Sequence, residues 1–379
     1  MEIFNCYATA AFGLEGLVAG ELRAMNLPDV RAENGGVRFS AAMEQVFESN
    51  LSLRCSDRVM IILAEGKCLS FEELFQLVLS VPWEKYMSGT ESIDISAKCA
   101  RSRLMSPRDC QSITKKAVIE RLKKKTGRKV FPENGPSFPV LVSIHSDAVK
   151  ILLNTSGDAL SRRGYRTWNG EAPLRETLAA ALVDLSPWKS GMPLYDPCCG
   201  TGTILIEAAW KAANRAPGLT RSFAMERFSF ADAAAFSALR KRKEQECDFS
   251  RIRGIGGGDI DPEAIRLAEL HLKQSGTSGL IPLRNEPFRQ ASMTEAHGVF
   301  ICNPPYGERL SDRENCRKLY RELREMWARH PGWSFCAISS DPAFERAFGK
   351  KADRRRRIYN GRLECNYYVY YGSGKTESD

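Results

Sequence analysis

Asn303, Pro304, Pro305 and Tyr306 directly follow the short apolar run Gly298 to Cys302. Each proline lacks an N–H and holds φ near about −65°, so the turn is stiff. A stiff turn at the carboxyl end of a buried strand is where open α/β sheets place ligands. The same residues also suit an ordinary strand exit, so the other chemistry-bearing stretches have to decide.

The strongest of these is LYDPCCGTGTILIEAAW, residues 194 to 210. A short strand should end at Asp196, and Pro197 to Gly202 form a loop before a helix that starts at about Thr203. Gly200 and Gly202 remove side chains where a ligand must touch backbone, and the start of the helix offers unpaired N–H groups beside Thr201 and Thr203. A dinucleotide fingerprint requires a third small residue where Leu205 stands, and a Walker loop requires a lysine that is absent here. The loop therefore suits a nucleoside carrying an amino-acid moiety, such as S-adenosylmethionine, rather than a phosphate.

The ribose of such a ligand calls for a carboxylate at the end of the next strand. GIGGGDIDPEAIRLAELHL supplies Asp259, followed by Ile260 and Asp261. Asp261 precedes Pro262 and also reads as a helix N-cap. An acidic residue usually follows the glycines by about 20 positions. The much longer interval here requires an inserted segment, about 211 to 250, containing the charged stretch LRKRKEQE.

The elements that must position these groups can be traced along the 379 residues, a length for two or three domains. Residues 1 to 60 hold a helical GLEGLVAGELRAM and a turn, Asn34-Gly35-Gly36, before the strand VRF. Residues 61 to 155 hold a helix FEELFQLVLSV, a strand ESIDISAKC with period-two alternation, a basic helix around 106 to 126, and a strand VLVSIHSDAVKILLNT. A Gly-, Ser- and Arg-rich connector, SGDALSRRGYRTWNGEAP, leads to a region from about 165 to 379 where helices alternate with short apolar strands, as in a parallel sheet covered on both faces. Asn360-Gly361 is a hairpin signal between RRRRIY and LECNYYVYY, so the last strand is expected to run antiparallel. Arg354 to Arg357 read as a solvated edge closing the sheet, with a phosphate contact as the alternative.

A mean hydropathy of −0.33 fits a globular chain, and no apolar run approaches the ~20 residues of a membrane span. The opening MEIFNCYATAAFGLEG lacks the basic-then-apolar order of a secretory leader, so a cytoplasmic protein is expected. The twelve cysteines form no CxxC pair and read as reduced thiols, Cys198, Cys199 and Cys302 as packing residues. With four scattered histidines as well, no metal site is expected.

The net charge of +9 is concentrated in residues 101 to 129, which hold eleven Lys or Arg against Asp109 and Glu120. Arg101, Arg103, Lys115, Lys116, Lys123, Lys124, Lys125, Arg128 and Lys129 are the candidates for a contact with a phosphate backbone. A solvated helix face is the alternative.

DPCCGTG, GGDIDPEAI and NPPYGERL, in that order, resemble the motifs of class I adenosylmethionine-dependent methyltransferases that modify exocyclic base amines. RGYRTWNGEAPLRETLAAALV, FGLEGLVAGEL and NGGVRF narrow the resemblance to bacterial proteins with a THUMP RNA-binding domain, related to the ribosomal RNA guanine-N2 methyltransferases. It covers nearly the whole chain. It implies a Rossmann-like methyltransferase sheet preceded by α+β ferredoxin-like and THUMP modules, with structured RNA, large-subunit ribosomal RNA above all, as partner.

It also implies that Asn303 and the Pro304 carbonyl accept the protons of the target amine, that Pro305 stiffens the turn, and that Tyr306 stacks on an extruded base. Relatives carry an acidic residue near the adenine where Ser292 stands here; Ser292 is the candidate in its place, with Glu295 as a substitute. Adenine-N6 methylation and a non-catalytic RNA-binding role are the competing readings.

Replacing Lys123, Lys124 and Lys125 by glutamine should weaken RNA binding without sequence preference and reduce its salt slope by about 2–3. An unchanged slope in a filter-binding titration against KCl would leave the cluster as a solvated helix face.

Overall fold

A computed structural model describes residues 2–166, 174–306 and 310–373. Thr167 to Pro173 of the connector, Gly307 to Arg309 of the third motif, and most of the polar tail lie outside the described residues. The chain forms two units that are not continuous in sequence. The first comprises Met1–Ala10, Val18–Leu160 and Arg221–Lys241; the second comprises Ala11–Leu17, Ser161–Thr220 and Arg242–Asp379.

In the first unit, the alternation of apolar residues builds β1 (Ile3–Ala10), paired antiparallel with β3 (Gly36–Ala42) and β4 (Ser56–Lys67). Helix α1 (Glu15–Ala24) lies between β1 and the short β2 (Arg31–Glu33), and α2 (Met43–Ser52) connects β3 to β4. Helix α3 (Phe71–Ser80) opens with a capping box, the Glu73 N–H donating to Ser70 Oγ at 3.3 Å while Glu73 takes the Ser70 N–H. Strand β5 (Ser92–Ala100) leads to α4 (Pro107–Thr126), which has Ser106 at its N-cap and Pro107 at its first position.

The stretch read as one strand, VLVSIHSDAVKILLNT, is a hairpin of β6 (Ser137–His145) and β7 (Ala148–Asn154). Its turn residues Ser146 and Asp147 have φ of 51° and 64°, the conformation a tight hairpin loop demands and one that Asn-Gly would have advertised. The seven strands form one sheet in the order β2-β3-β1-β4-β7-β6-β5, so the ferredoxin-like and THUMP stretches share a continuous ladder through β4 and β7.

Arg221–Lys241 completes this unit. Phe236 stacks on Phe47 with centroids 4.1 Å apart, Phe223 meets Phe47 edge-on, and Phe228 packs on Phe138. The expected insertion is thus partly a component of the N-terminal unit.

The second unit contains α5 (Glu176–Leu185), β8 (Leu194–Asp196), α6 (Thr203–Ala212), α7 (Ala233–Gln245, shared with the first unit), β9 (Ile255–Asp259) and α8 (Pro262–Ser275). Then come β10 (Leu283–Asn285), β11 (Gly298–Cys302), α9 (Leu310–Ala328), β12 (Trp333–Ser339), α10 (Phe344–Phe348), β13 (Arg354–Asn360) and β14 (Leu363–Tyr370). The sheet order is β10-β9-β8-β11-β12-β14-β13. β8 to β12 run parallel, and β14 pairs antiparallel with both β12 and β13, as the hairpin signal required. All parallel strands therefore deliver their carboxyl ends to one edge of the sheet. Among the described residues no helix is long and apolar enough to cross a membrane.

Asn50, 1% exposed on α2, ties the first unit together: its amide donates to Val46 O at 3.0 Å and Thr155 Oγ1 at 2.9 Å, and its carbonyl accepts from Ser156. Asn50→Ala leaves both hydroxyls short of a buried partner and should cost roughly 2–3 kcal/mol. Urea unfolding followed by circular dichroism measures this.

Candidate active site

The carboxyl ends of β8, β9 and β11 surround a cavity of about 400 Å³. Asp196, Gly200, Thr201, Thr203, Asp261 and Asn303 line it, which brings residues of all three motifs to one place. Pro197, Gly202, Asp259, Ile260 and Ser292 are not among its lining residues.

The glycine loop is built from backbone bonds. Cys199 N donates to Gly258 O at 3.0 Å, Gly202 N to Cys199 O at 2.8 Å, and the Thr201 carbonyl meets His271 Nδ1 at 3.1 Å. Gly202 enters α6 with φ of 80°, where a side chain would be strained. A Cβ on Gly257 would lie 2.7 Å from Leu205 Cδ1, so the glycines of β9 let α6 pack directly on the strand, and Leu205 is a packing residue.

Asp259 ends β9, the strand-end position expected of it. Its Oδ2 accepts from Gly200 N at 2.9 Å and its Oδ1 from Asp261 N at 3.0 Å, so its carboxylate binds the two loops that form the cavity mouth. Each oxygen retains a second lone pair for a ligand hydroxyl. Asp261 accepts from Glu263 N at 2.9 Å, the N-cap geometry, and still reaches the cavity. Ile260 is 70% exposed beside them.

Asp196 is 1% exposed, and its carboxylate accepts from Cys198 N at 3.1 Å. Burial pushes its pKa well up, and the nearby Asp259 charge adds to the effect. A desolvated carboxylate beside a second one favours a cationic ligand. S-adenosylmethionine brings an ammonium and a sulfonium, so the donor set fits that cofactor. Burial likewise raises the Cys198, Cys199 and Cys302 thiols far from reactivity, consistent with packing roles.

The NPPY turn leaves β11 with Asn303 facing the cavity, Pro304 buried and Pro305 exposed. The Pro305 carbonyl is taken by the Tyr320 hydroxyl at 3.1 Å, while no described residue donates to the Pro304 carbonyl. Tyr306 donates its hydroxyl to Asn303 Oδ1, and the Asn360 side chain at the tip of the last hairpin is near enough to perturb that hydroxyl.

Ser292 is exposed; the neighbouring Met293 N–H is held by His330 at 3.2 Å, and the Glu295 carbonyl by Trp333 at 2.8 Å. Sequence reasoning missed Arg166, which donates to the Leu174 carbonyl at 3.0 Å and to the Thr203 hydroxyl, both in cavity-lining residues, and lies 3.4 Å from Glu176. Arg163 and Tyr165 reach the buried Glu207 of α6 at 3.4 and 3.2 Å. The signal was the RGYR of the connector, whose arginines precede two buried glutamates.

The basic cluster is divided. Lys115 pairs with Glu133 at 2.8 Å, Lys123 with Glu120 at 3.6 Å, Lys116 lies 5.8 Å over the Phe75 ring, and Arg128 donates to the Ser88 carbonyl. Arg101, Arg103, Lys124, Lys125 and Lys129 are exposed.

A glycine loop between β8 and α6, a strand-end carboxylate, and an NPPY turn on β11 together define a class I methyltransferase. The chain belongs to the RMKL-like methyltransferase family, whose domain model (UPF0020) matches residues 163–369. An RlmL ferredoxin-like domain matches 5–60 and a THUMP domain 68–154.

Among relatives, YpsC of Bacillus subtilis (strain 168), named as a candidate RNA methyltransferase, is 34% identical over 98% of this chain and 97% of its own. The ribosomal RNA large subunit methyltransferase K/L of Shewanella frigidimarina (strain NCIMB 400) is 30% identical over 97% of this chain, which spans only 53% of that protein. The crystal structure of SMU.472 complexed with SAH is similar at a TM-score of 0.94 and 38% identity, covering 99% of this chain and 100% of that one. A Listeria monocytogenes structure, described as a predicted N6-adenine-specific DNA methylase, aligns at 0.93 and 38%, covering 98% and 97%.

Asp259→Ala removes an anchor of both loops and should weaken S-adenosylmethionine binding by about 1.5–3 kcal/mol. Asp261→Ala should chiefly lower thermal stability, by about 1 kcal/mol, through the lost cap. Calorimetric titration beside a melting curve distinguishes the two, and normal cofactor binding by Asp259→Ala would contradict the assignment.

Proposed function

We propose that this chain methylates an exocyclic base amine in RNA with S-adenosylmethionine as donor, and that the amine is N2 of a guanine in large-subunit ribosomal RNA. The carrying observation is that Asn303 lines the same cavity as Asp196 and the glycine loop. An amine acceptor set and a site for a cationic nucleoside thus share one space. The THUMP match, the basic segment 101 to 129 and the names of the K/L relatives support RNA, and the ribosome within it. A cytoplasmic location follows from that substrate. The modules are divided as 1–60, 61–155 and 165–379.

S-adenosylmethionine supplies an electrophilic methyl group when bound. The Asp259 carboxylate and Asp261 would hold its ribose, Ile260 would cover its adenine, and Asp196 with Pro197 to Thr203 would hold the methionine end. Ser292 is the candidate beside the adenine amine.

A base amine is a weak nucleophile because its lone pair is delocalised into the ring. Asn303 Oδ1 and the Pro304 carbonyl accept hydrogen bonds from its two N–H groups, which drives the nitrogen toward sp³ geometry and directs the lone pair at the donor cavity. The prolines and the Tyr320 bond keep these acceptors fixed, so little reorganisation is needed as charge develops. The surplus proton leaves the methylated nitrogen to water. Tyr306 occupies Asn303 Oδ1 here, so an incoming amine must replace a phenol O–H with its own N–H. The released ring is then placed to stack on the extruded base. The description of the Listeria structure favours adenine N6 as a second reading, and the THUMP domain weighs against it.

Asn303→Ala should lower the single-turnover rate about 10²–10³-fold while cofactor affinity stays within a few fold. Methyl transfer to ribosomal RNA from a deletion strain, read by nucleoside mass spectrometry, tests rate and target together. N2-methylguanosine is expected; N6-methyladenosine would keep the chemistry and replace the substrate. A wild-type rate in Asn303→Ala would remove the catalytic role.

A further inference from the structure

The last hairpin carries cations that the cofactor site does not use. Strand register places Arg355 opposite Tyr368, Arg357 opposite Asn366 and Tyr359 opposite Glu364. Side chains two apart on a strand share a face, so these six form one ladder. With Pro342, five of them line a groove of about 480 Å³; Tyr359 is the exception.

The groove is rich in hydrogen-bond donors. Glu364 accepts from the Tyr359 hydroxyl at 2.9 Å, and Arg355 lies 3.4 Å from Glu345, whose other oxygen is held by Ala352 N. Arg357 is exposed, and no carboxylate among the described residues pairs with it. Its guanidinium lies instead 5.6 Å from the centroid of the Phe12 ring, which also meets Tyr359 edge-on at 5.8 Å. Phe12 is held there by its neighbour: the Gly13 carbonyl accepts from Arg356 Nε at 3.0 Å. Phe12 is nonetheless 48% exposed, so part of its ring stays open to solvent beside the arginines.

The location of the groove matters as much as its charge. Ser339, the last residue of β12, pairs with Asn366, and Asn366 with Arg357. Asn366 and Arg357 are therefore at the carboxyl-end edge of the sheet, where Asn303 emerges from β11. Three strand spacings separate β11 from β13, about 14 Å. Asn360 at the tip is near enough to Tyr306 to perturb its hydroxyl, so the hairpin tip and the NPPY turn are neighbours.

We propose that this face of the hairpin binds the single-stranded RNA flanking the target base, with phosphates held by Arg355, Arg357 and Asn366 and a neighbouring base stacked on Phe12. The proposal rests on the RNA reading above and extends it to a contact on the catalytic unit itself. An extruded base needs its neighbours held while it is turned out, and exposed aromatics interleaved with arginines provide that grip on any sequence. The chemistry is that of a phosphodiester strand rather than of a protein surface, because two successive guanidinium forks on β13 stand beside the open ring of Phe12.

Fluorescence anisotropy with fluorescein-labelled oligo(U), titrated against KCl, tests the groove alongside methyl transfer to ribosomal RNA from a deletion strain. The double variant R355A/R357A should bind oligo(U) about tenfold more weakly, with a salt slope reduced by about 1–2. In methyl transfer its loss should fall on KM for RNA rather than on kcat, while S-adenosylmethionine affinity is unaltered. R355K/R357K should recover the slope, which a folding defect would not. Phe12→Ala should weaken binding about five- to tenfold and leave the slope alone, since stacking carries no counterions.

An unchanged slope and KM in R355A/R357A, with wild-type protein methylating the RNA normally, overturns the groove and leaves the proposed function standing. That result would also be expected if the face docks an acidic protein. Failure of the wild type to methylate or bind any RNA removes both.

Discussion

The Asp259 carboxylate accepts from two backbone N–H groups, Gly200 on the loop after β8 and Asp261 on the loop after β9. The first of those loops carries two glycines, so its own side chains offer little to hold it. One carboxylate at a strand end solves this, and its charge strengthens both bonds. The arrangement has an electrostatic cost, since it brings a negative charge near the buried Asp196 and raises that group's pKa further. The cavity is thereby biased toward a ligand that carries positive charge. Architecture and selectivity thus come from the same pair of acids.

The NPPY turn shows the complementary strategy, with rigidity supplied by prolines and by a single tyrosine at each end. Tyr320 fixes the Pro305 carbonyl from below, while Tyr306 satisfies Asn303 Oδ1 from the front. An exposed amide oxygen would otherwise be paired by water, which a base would have to strip away. One phenol O–H in that place is a single bond to exchange rather than a set of solvent bonds.

The three motifs were legible in the sequence because each is local: a strand end, a few loop residues and a helix start lie within a dozen positions. Asp196, Asp259, Asp261 and the Gly298–Cys302 strand stand where their order required, and Asn360-Gly361 makes the hairpin its residue types announce. What was hidden depends on distant partners. Ser146-Asp147 turns a hairpin without the usual residues because β4 and β5 fix the strands on either side. Arg166 is meaningful only once Thr203 and Glu176 have been folded next to it. Ser292 was named from its position in a motif order, and its loop is held by His330 and Trp333, partners that lie far along the chain. The charge of 101 to 129 was plain in the sequence, yet Lys115 and Lys116 tie α4 to its neighbours through Glu133 and Phe75, and Lys123 pairs with Glu120 within the helix.

The chain's two units are interlaced rather than strung in series, since Arg221–Lys241 belongs to the first and Ala11–Leu17 to the second. No single cut yields an intact half. A fragment ending near residue 160 would bare the faces of Phe47 and Phe138 that Phe223, Phe228 and Phe236 cover, and such a patch invites self-association. On the ribosome, the N-terminal sheet emerges long before the segment that finishes it. Its maturation therefore waits on synthesis of much of the catalytic sequence, so that RNA capture and methyl transfer become available to the cell as one product.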